Sequence, residues 1–250
     1  MGTVATTPEE PTPPSKSFPA RFVGVFISPG ETFADIARKP GFLAPLIVVM
    51  VMAVAVTETM LAKIGMERIV RMSIEQSKSA SNMSPQQIDQ AVQQGAKIGG
   101  IIAHIAGVIG APIFLLILAG LGLLIVNTLF GQQTRFGTAM SVACYANMPG
   151  VLSGLMAIAL MLFGDPEHFN PENPAPTNVG FFLNPLDTSK PLYKFATSLD
   201  VFTLWALILL GIGFSAATGR KVKALNVFLV YVGLWAVWVL GKVALTALTG

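Results

Sequence analysis

The sequence has few of the residues from which soluble enzymes build their sites. Its 250 residues include one cysteine, Cys144, and two histidines, His104 and His168. A single cysteine excludes an internal disulfide and a cysteine-rich metal site. The two histidines lie in different regions, and the chain has no phosphate-binding glycine loop, no His-Glu-x-x-His and no Gly-x-Ser-x-Gly motif. We therefore predict a protein that is not an enzyme and that holds no cofactor or metal.

Charged residues are also scarce, at 12% of the chain, roughly half of their usual share, whereas apolar residues make up 53%. A water-soluble fold of this size cannot bury so much apolar surface. The net charge of +3 comes from basic residues scattered between hydrophobic runs, without the basic face that binds nucleic acid. The composition predicts an integral membrane protein whose immediate partner is the lipid bilayer.

Five hydrophobic runs approach or exceed the length of about 20 residues that a helix needs to cross a hydrocarbon core of about 30 Å. The predicted spans are 42–62, 98–127, 137–163, 201–218 and 224–245. The fold class is therefore all-α, a polytopic transmembrane helix bundle of about five spans within residues 41–250. Four or six spans are the alternatives, although the long second run can tilt, or bend at Pro112, instead of crossing twice.

Residues 1–40 are predicted to form a cytoplasmic tail that contains a short amphipathic helix. Residues 1–17 are rich in proline and predict disorder. In the helix that follows, Phe33 and Ile36 are placed to lie against the bilayer surface. An ordinary surface helix without a special role is the alternative.

Two helix starts have the sequence of a capping box, in which a Ser side chain and an acidic or amide side chain three residues later bond each other's backbone N–H groups. One is Ser28 with Glu31, and the other is Ser84 with Gln87. Each serine is followed by proline, which is favoured in the first turn of a helix.

The connections give the orientation. Lys and Arg are divided equally, eight on each side, when the N-terminus is placed inside. The basic pair at 38–39 and the tight turn at 220–223 favour the cytoplasm, whereas the acidic connection 164–199, predicted to be an irregular loop, suits the outer side. The other outer connection is predicted to turn at 79–82. We predict a multi-pass protein of the cell (inner) membrane with a cytoplasmic N-terminus and an outer C-terminus.

Several segments resemble, in order and spacing, bacterial members of the Yip (Ypt/Rab-interacting protein) domain family. The first two segments are residues 28–33, which are followed by Lys-Pro at 39–40, and the proline-containing start of the first span at 42–46. The third is the Tyr-x-x-x-Pro pattern at 145–149 in the third span. The last comprises the start of the fourth span at 199–205, its continuation at 210–213 and the turn that follows at 220–225. The motif residues are Ser28, Pro29, Phe33, Pro45, Tyr145, Asn147, Pro149 and Trp205. The resemblance covers about residues 20–245 and implies a five-span fold with a cytoplasmic N-terminus, in a family whose characterised members act through partners.

Four ionisable residues close to or within the spans are predicted to share one depth, near the outer edge of the hydrocarbon. They are Glu58, His104, Asp200 and Lys242. At about 1.5 Å per residue, Glu58 lies roughly 24 Å beyond residue 42 and Lys242 roughly 27 Å beyond residue 224. Charges at this depth are costly unless they are paired or hydrated, so one hypothesis is a functional polar cluster. The alternative is that each side chain reaches the interface or caps a helix end.

Two further patterns concern the helices themselves. Small residues recur at every fourth position, at Gly95, Gly99, Ala103, Gly107 and Ala111. Such a stripe lets another helix approach closely, either within the bundle or across a dimer interface. In the third span, proline at 149 leaves the carbonyl of residue 145 without its helical partner, which predicts a structural kink or, alternatively, a hinge lining a substrate path.

The leading functional hypothesis is a non-enzymatic scaffold or accessory subunit that binds other membrane proteins, with a transporter complex and a homo-oligomer among the assemblies to consider. The alternative is a small-solute or ion permease that uses the outer polar cluster and the proline bends, although no inverted repeat is evident. An intramembrane enzyme is the third class, and no pair of carboxylates or Ser/His pair at helical spacing favours it.

Overall fold

The computed structural model describes residues 14–75, 77, 82–165, 169–171, 173–184 and 187–249. The predicted disordered residues up to 13, most of the predicted turn at 79–82 and His168 lie outside the described residues. The helices are α1 (Phe18–Ile27), α2 (Pro29–Arg38), α3 (Leu43–Lys63), α4 (Met66–Glu75), α5 (Pro85–Leu123), α6 (Phe136–Ala146), α7 (Met148–Phe163), α8 (Lys190–Ser198), α9 (Val201–Ala217) and α10 (Ala224–Thr249). A π-helical turn, Leu124–Leu129, extends α5, and a 3-10 turn, Val179–Phe182, precedes α8.

The all-α class is confirmed, since the described residues contain no strand and only one isolated bridge, Asn178 to Asp200. Four helical stretches are long and apolar enough to cross a bilayer: Leu43–Lys63, Pro85–Leu129, Phe136–Phe163 and Ala224–Leu248. The remaining predicted span corresponds to α9, whose 17 residues extend about 26 Å. The protein is a multi-pass membrane protein, and the number of five spans stays a prediction.

Helix α9 occupies the centre of the bundle, where it contacts α2, α6, α7 and α10. The core around it is filled by large side chains that are fully buried, among them Tyr145, Tyr231, Phe33 and Phe214. The Tyr231 hydroxyl donates a hydrogen bond to the Leu118 carbonyl at 2.8 Å, which satisfies a polar group that lipid cannot hydrate. Packed aromatic and aliphatic side chains therefore fill the interior of the bundle.

The capping box predicted at Ser84 is confirmed. Its Oγ accepts a hydrogen bond from the Gln87 N–H at 3.3 Å, and Gln87 Oε1 accepts one from the Ser84 N–H at 2.8 Å. The capping box predicted at Ser28 is wrong, because its side chain makes no capping hydrogen bond. Ser28 joins α1 directly to α2, so its own N–H is taken by the Gly24 carbonyl at the end of α1.

The expectation that Phe33 and Ile36 lie against the bilayer surface is also wrong. Both side chains are fully buried, because α2 packs its apolar face onto α9 and α6. Gly213 of α9 permits this approach, since a methyl group added there would lie 2.9 Å from the Phe33 ring. Burial in the bundle removes these side chains from water as completely as lipid contact would.

The prediction of an irregular loop at 164–199 is wrong for a large part of its described residues. The 3-10 turn and α8 are regular, and α8 packs on both this turn and α10. Tyr193 of α8 is buried, and its hydroxyl accepts a hydrogen bond from Asn170 at 2.8 Å. The apolar face of α8 and the hydrogen bond of Tyr193 thus order the described part of segment 169–199 as a cap segment over one end of the bundle.

Candidate functional site

Glu58 of α3 and His104 of α5 are in contact on the perimeter of the bundle. Glu58 Oε1 lies 3.3 Å from His104 Nε2, and the two side chains are 51% and 57% exposed. The other ring nitrogen, Nδ1, lies 2.6 Å from the Gly100 carbonyl one turn earlier. A carbonyl oxygen only accepts hydrogen bonds, so Nδ1 carries a proton and Nε2 is left to face the carboxyl group.

The Glu58–His104 pair is surrounded by exposed apolar side chains. On α5, Ile101, Ile105 and Val108 are each about half exposed and lie on the same helical face as the histidine. Exposed isoleucines occur on both sides of the histidine along the helix, which places the pair inside the apolar surface of the bundle. Ionisable groups within a membrane almost always face the bundle interior or a water-filled cavity, so an outward-facing pair is unusual.

Asp200 has a different environment at the start of α9. Its Oδ1 accepts the Thr203 N–H at 2.8 Å, which makes it the N-cap of the helix. Its Oδ2 accepts a hydrogen bond from the Thr177 hydroxyl, and the Val201 N–H bonds to the Thr177 carbonyl at 3.0 Å. Asp200 therefore fixes the cap segment to the N-terminal end of α9.

Lys242 of α10 lies beside the same segment. Its Nζ donates a hydrogen bond to Ser198 Oγ at 2.7 Å, and the Asp200 N–H donates to the Ser198 carbonyl at 3.0 Å. Ser198 thus connects Lys242 with Asp200. The structure places the four predicted cluster residues in two groups, Glu58 with His104 on α3 and α5, and Asp200 with Lys242 on α9 and α10.

Helices α6 and α7 meet at Asn147, within the Tyr-x-x-x-Pro pattern. Asn147 has φ −91° and ψ 5°, outside helical values, and Pro149 lies in the first turn of α7. The Asn147 amide donates to the Ala143 carbonyl at 2.8 Å, and its backbone N–H reaches the Ala143 and Cys144 carbonyls at 3.3 Å. These bonds satisfy carbonyls at the end of α6 inside a buried part of the bundle.

The other motif residues line the junction between the N-terminal helices and the bundle. Phe26 of α1 makes an edge-to-face contact with Trp205 of α9, with ring centroids 5.3 Å apart, and Phe18 lies 6.3 Å from the Tyr145 ring. Pro45 is buried near the start of α3. Aromatic contacts of this kind add about 0.5–1.5 kcal/mol each beyond area burial. The motifs thus hold α1 and α2 against the membrane helices.

A buried ion-pair network at this junction is absent from the sequence predictions. Asp35 of α2 bonds Arg21 Nε at 2.8 Å and Arg38 Nη2 at 2.7 Å, and Arg21 also donates to the Lys39 carbonyl at 2.9 Å. The side chains of Arg21 and Asp35 are only 7% and 5% exposed. Burial opposes ionisation of Asp35, but the bonds from Arg21 and Arg38 outweigh it and hold the pKa of Asp35 below its usual range. An isolated Arg within the apolar segment 18–27 is the sequence signal for this network.

The stripe of small residues on α5 faces helices of the same chain at three of its positions. Methyl groups added at Gly95 and Gly99 would lie 2.7 Å from Val70 and 3.1 Å from Met66, both on α4. One added at Gly107 would lie 3.0 Å from the Thr57 hydroxyl on α3. These glycines let α3 and α4 approach α5 closely, next to the Glu58–His104 pair.

The family model of the Yip1 domain matches residues 23–245, which include all the helices except the first residues of α1 and the end of α10. The chain belongs to the Yip1 domain family. No curated protein and no solved structure matches it. The Yip1 domain thus comprises the second half of α1 and all of α2 as well as the membrane helices, in agreement with the packing of α1 and α2 on the bundle.

Proposed function

We propose that this Yip1 domain protein is a non-enzymatic membrane scaffold or accessory subunit that associates with other membrane polypeptides inside the bilayer. The observation that supports this function best is the outward-facing Glu58–His104 pair. A transmembrane helix packed on this face would remove the pair from lipid and supply hydrogen-bond partners to it. Association through this face would therefore stabilise a group that lipid solvates poorly.

The packing of the bundle favours a scaffold over a permease. A permease would place the ionisable residues along a hydrated path through the protein. Here Glu58 and His104 are exposed on the perimeter, whereas Asp200 is occupied in capping α9. Helix α5 also continues through Pro112 without interruption, so this proline does not produce a broken helix.

Photo-crosslinking in intact membranes tests lateral association. A photoreactive amino acid in place of Ile105, which is 53% exposed beside the pair, should give a covalent adduct with a protein. The matched control is Val237 of α10, which is 70% exposed on another helix and should label mainly lipid. The readout is the mass and peptide composition of the adducts. Lipid adducts alone at both positions would refute the proposed function.

We further propose that the protein lies in the inner membrane with its N-terminus in the cytoplasm and its C-terminus outside, across an odd number of spans. The support is Arg38, which is partly exposed, and the exposed turn of Arg220 and Lys221 on the side of α2. A membrane-impermeant reagent should label a tag at the C-terminus in intact cells and a tag at the N-terminus only after lysis. Labelling of both tags under the same condition would contradict this topology.

A further inference from the structure

Lys242 is a cation of the membrane helix α10 whose hydrogen-bond partner is neutral. Its Nζ donates to Ser198 Oγ at 2.7 Å, and the Ser198 hydroxyl donates its own proton to the Lys194 carbonyl at 2.7 Å. An ammonium group has three N–H donors, and the other two meet no acceptor among the residues that the structure describes. Within the same part of the chain, no carboxylate forms a salt bridge with Lys242.

The carboxylate of Asp200, two residues after Ser198, does not pair with this cation. Its Oδ1 accepts the N–H and the hydroxyl of Thr203 at 2.8 and 3.1 Å, and its Oδ2 accepts the Thr177 hydroxyl. These bonds direct Asp200 to the start of α9 and to the cap segment. The charge of Lys242 is therefore not compensated by the carboxylate that lies nearest to it along the chain.

Lys194 of α8 adds a second positive charge at this position. It lies one helical turn before Ser198, and its ammonium group is close enough to repel that of Lys242. Lys190 precedes it by another turn, so the two lysines and Ser198 form a row along α8. Charges at a membrane boundary are costly unless they are paired or hydrated. The junction of α8 and α10 therefore has the charge of an anion-binding site.

Exposed apolar side chains flank this junction on both helices. On α10, Trp238 and Leu245 are 72% and 62% exposed and share a face with Lys242 at the spacing i, i+4 and i+7. On α8, Leu192 and Phe195 are 54% and 40% exposed. Tryptophan favours the boundary between headgroups and hydrocarbon, and Lys242 lies one turn beyond Trp238, roughly 27 Å from the start of α10. The lysine thus lies at the depth of lipid headgroups, beside a surface suited to acyl chains.

We propose that the junction of α8 and α10 binds an anionic phospholipid, whose phosphate group lies between the ammonium groups of Lys242 and Lys194. The phosphate oxygens accept the two remaining N–H groups of Lys242, and their negative charge relieves the repulsion between the two lysines. The acyl chains lie on Trp238 and Leu245. This apolar surface favours a phospholipid over a free phosphate ion, which has no group to cover it.

The lipid selectivity of the purified protein tests this site. Native mass spectrometry measures the retained fractions of phosphatidylglycerol and of phosphatidylcholine with the same acyl chains. The wild type should retain phosphatidylglycerol in preference. Lys242→Gln and Lys194→Gln should each lower its retention about five-fold, because each removes one of the two cations that attract the phosphate. Lys242→Arg keeps the charge and should keep the preference.

Lys63→Gln is the matched control, because Lys63 is an exposed lysine at the end of another membrane helix, α3. It should leave the lipid selectivity unchanged. Equal retention of the two lipids by the wild type, or equal losses in Lys63→Gln and Lys242→Gln, would overturn the proposal. Lys194 lies outside the membrane helices, so Lys194→Gln decides the question if Lys242→Gln does not fold.

Inorganic phosphate distinguishes a lipid headgroup from a free anion. Added at the same concentration as the lipid, it should not displace phosphatidylglycerol, because it makes no contact with the apolar surface around Lys242. Displacement of the lipid by inorganic phosphate would show that the junction takes a free anion, and it would overturn the assignment to a phospholipid.

Discussion

Replacement of Asp35 by alanine should lower the thermal unfolding temperature of the protein in detergent by on the order of 10 °C, because it leaves Arg21 charged and buried without a counter-charge. The Arg21 and Asp35 side chains are 7% and 5% exposed, and their bond is 2.8 Å long. Removal of one partner from such a buried pair costs about 3–5 kcal/mol. The measurement is thermal unfolding of the purified protein, in which size-exclusion chromatography quantifies the folded protein that remains after heating.

The matched control is the ion pair of Arg71 and Asp89, which has a similar length but lies at the surface. Its atoms are 2.7 Å apart, but its side chains are 43% and 58% exposed. Asp89→Ala should therefore have little effect on stability. The double variant Arg21→Met with Asp35→Leu should recover much of the loss, since it removes both charges. Equal effects of Asp35→Ala and Asp89→Ala would show that the buried network is not important for stability.

The lowered pKa of Asp35 sets the pH range of this effect. A carboxyl group whose pKa is lower in the folded state adds stability at pH values above its unfolded pKa of about 3.9, and this stability is lost as the pH falls through the folded pKa. The difference between wild type and Asp35→Ala should therefore be constant near neutral pH and shrink only in acid. This network joins α1 to α2, so its loss should also loosen the packing of α1 on α2.

The sequence predicts the membrane helices well because their signal is local. The uninterrupted apolar runs predict the first residues of α3 and α10 to within one residue, and Pro149 predicts the break between α6 and α7. The same holds for the cap at Ser84, whose partner Gln87 is three residues away. A helix of about 20 apolar residues satisfies its own backbone hydrogen bonds, so its neighbours contribute little to whether it forms.

The position of side chains around each helix is not predictable in the same way. The rise per residue predicts a common depth for Glu58, His104, Asp200 and Lys242, but it does not predict which of them are in contact. Contact between two such residues depends on which helices are neighbours and on how each helix is rotated about its axis. Because α3 packs on α5 and α9 packs on α10, the four residues fall into two groups. The burial of Phe33 likewise depends on Gly213, 180 positions later in the chain. Long-range packing decides such contacts.

The second large effect is expected at Gly122 of α5, against which the side chain of Phe214 from α9 packs. A methyl group added there would overlap the ring of Phe214, which is fully buried and stacks on Tyr231 with ring centroids 6.0 Å apart. The ring cannot withdraw without displacing Tyr231, whose hydroxyl bonds to Leu118 of α5. Gly122→Ala should therefore destabilise the protein by about 1–3 kcal/mol or more, as expected for overpacking of a filled core.

Gly120 is the matched control for this substitution, two residues earlier on the same helix. A methyl group added at Gly120 meets nothing within 4 Å, so only the helix propensity changes. Gly120→Ala should be neutral or stabilise by up to about 1 kcal/mol. Thermal unfolding of both variants in the same detergent separates the two effects, because propensity acts equally on both and only the contact with Phe214 differs. A variant Gly122→Ala as stable as Gly120→Ala would mean that the Phe214 ring does not pack against Gly122 as described.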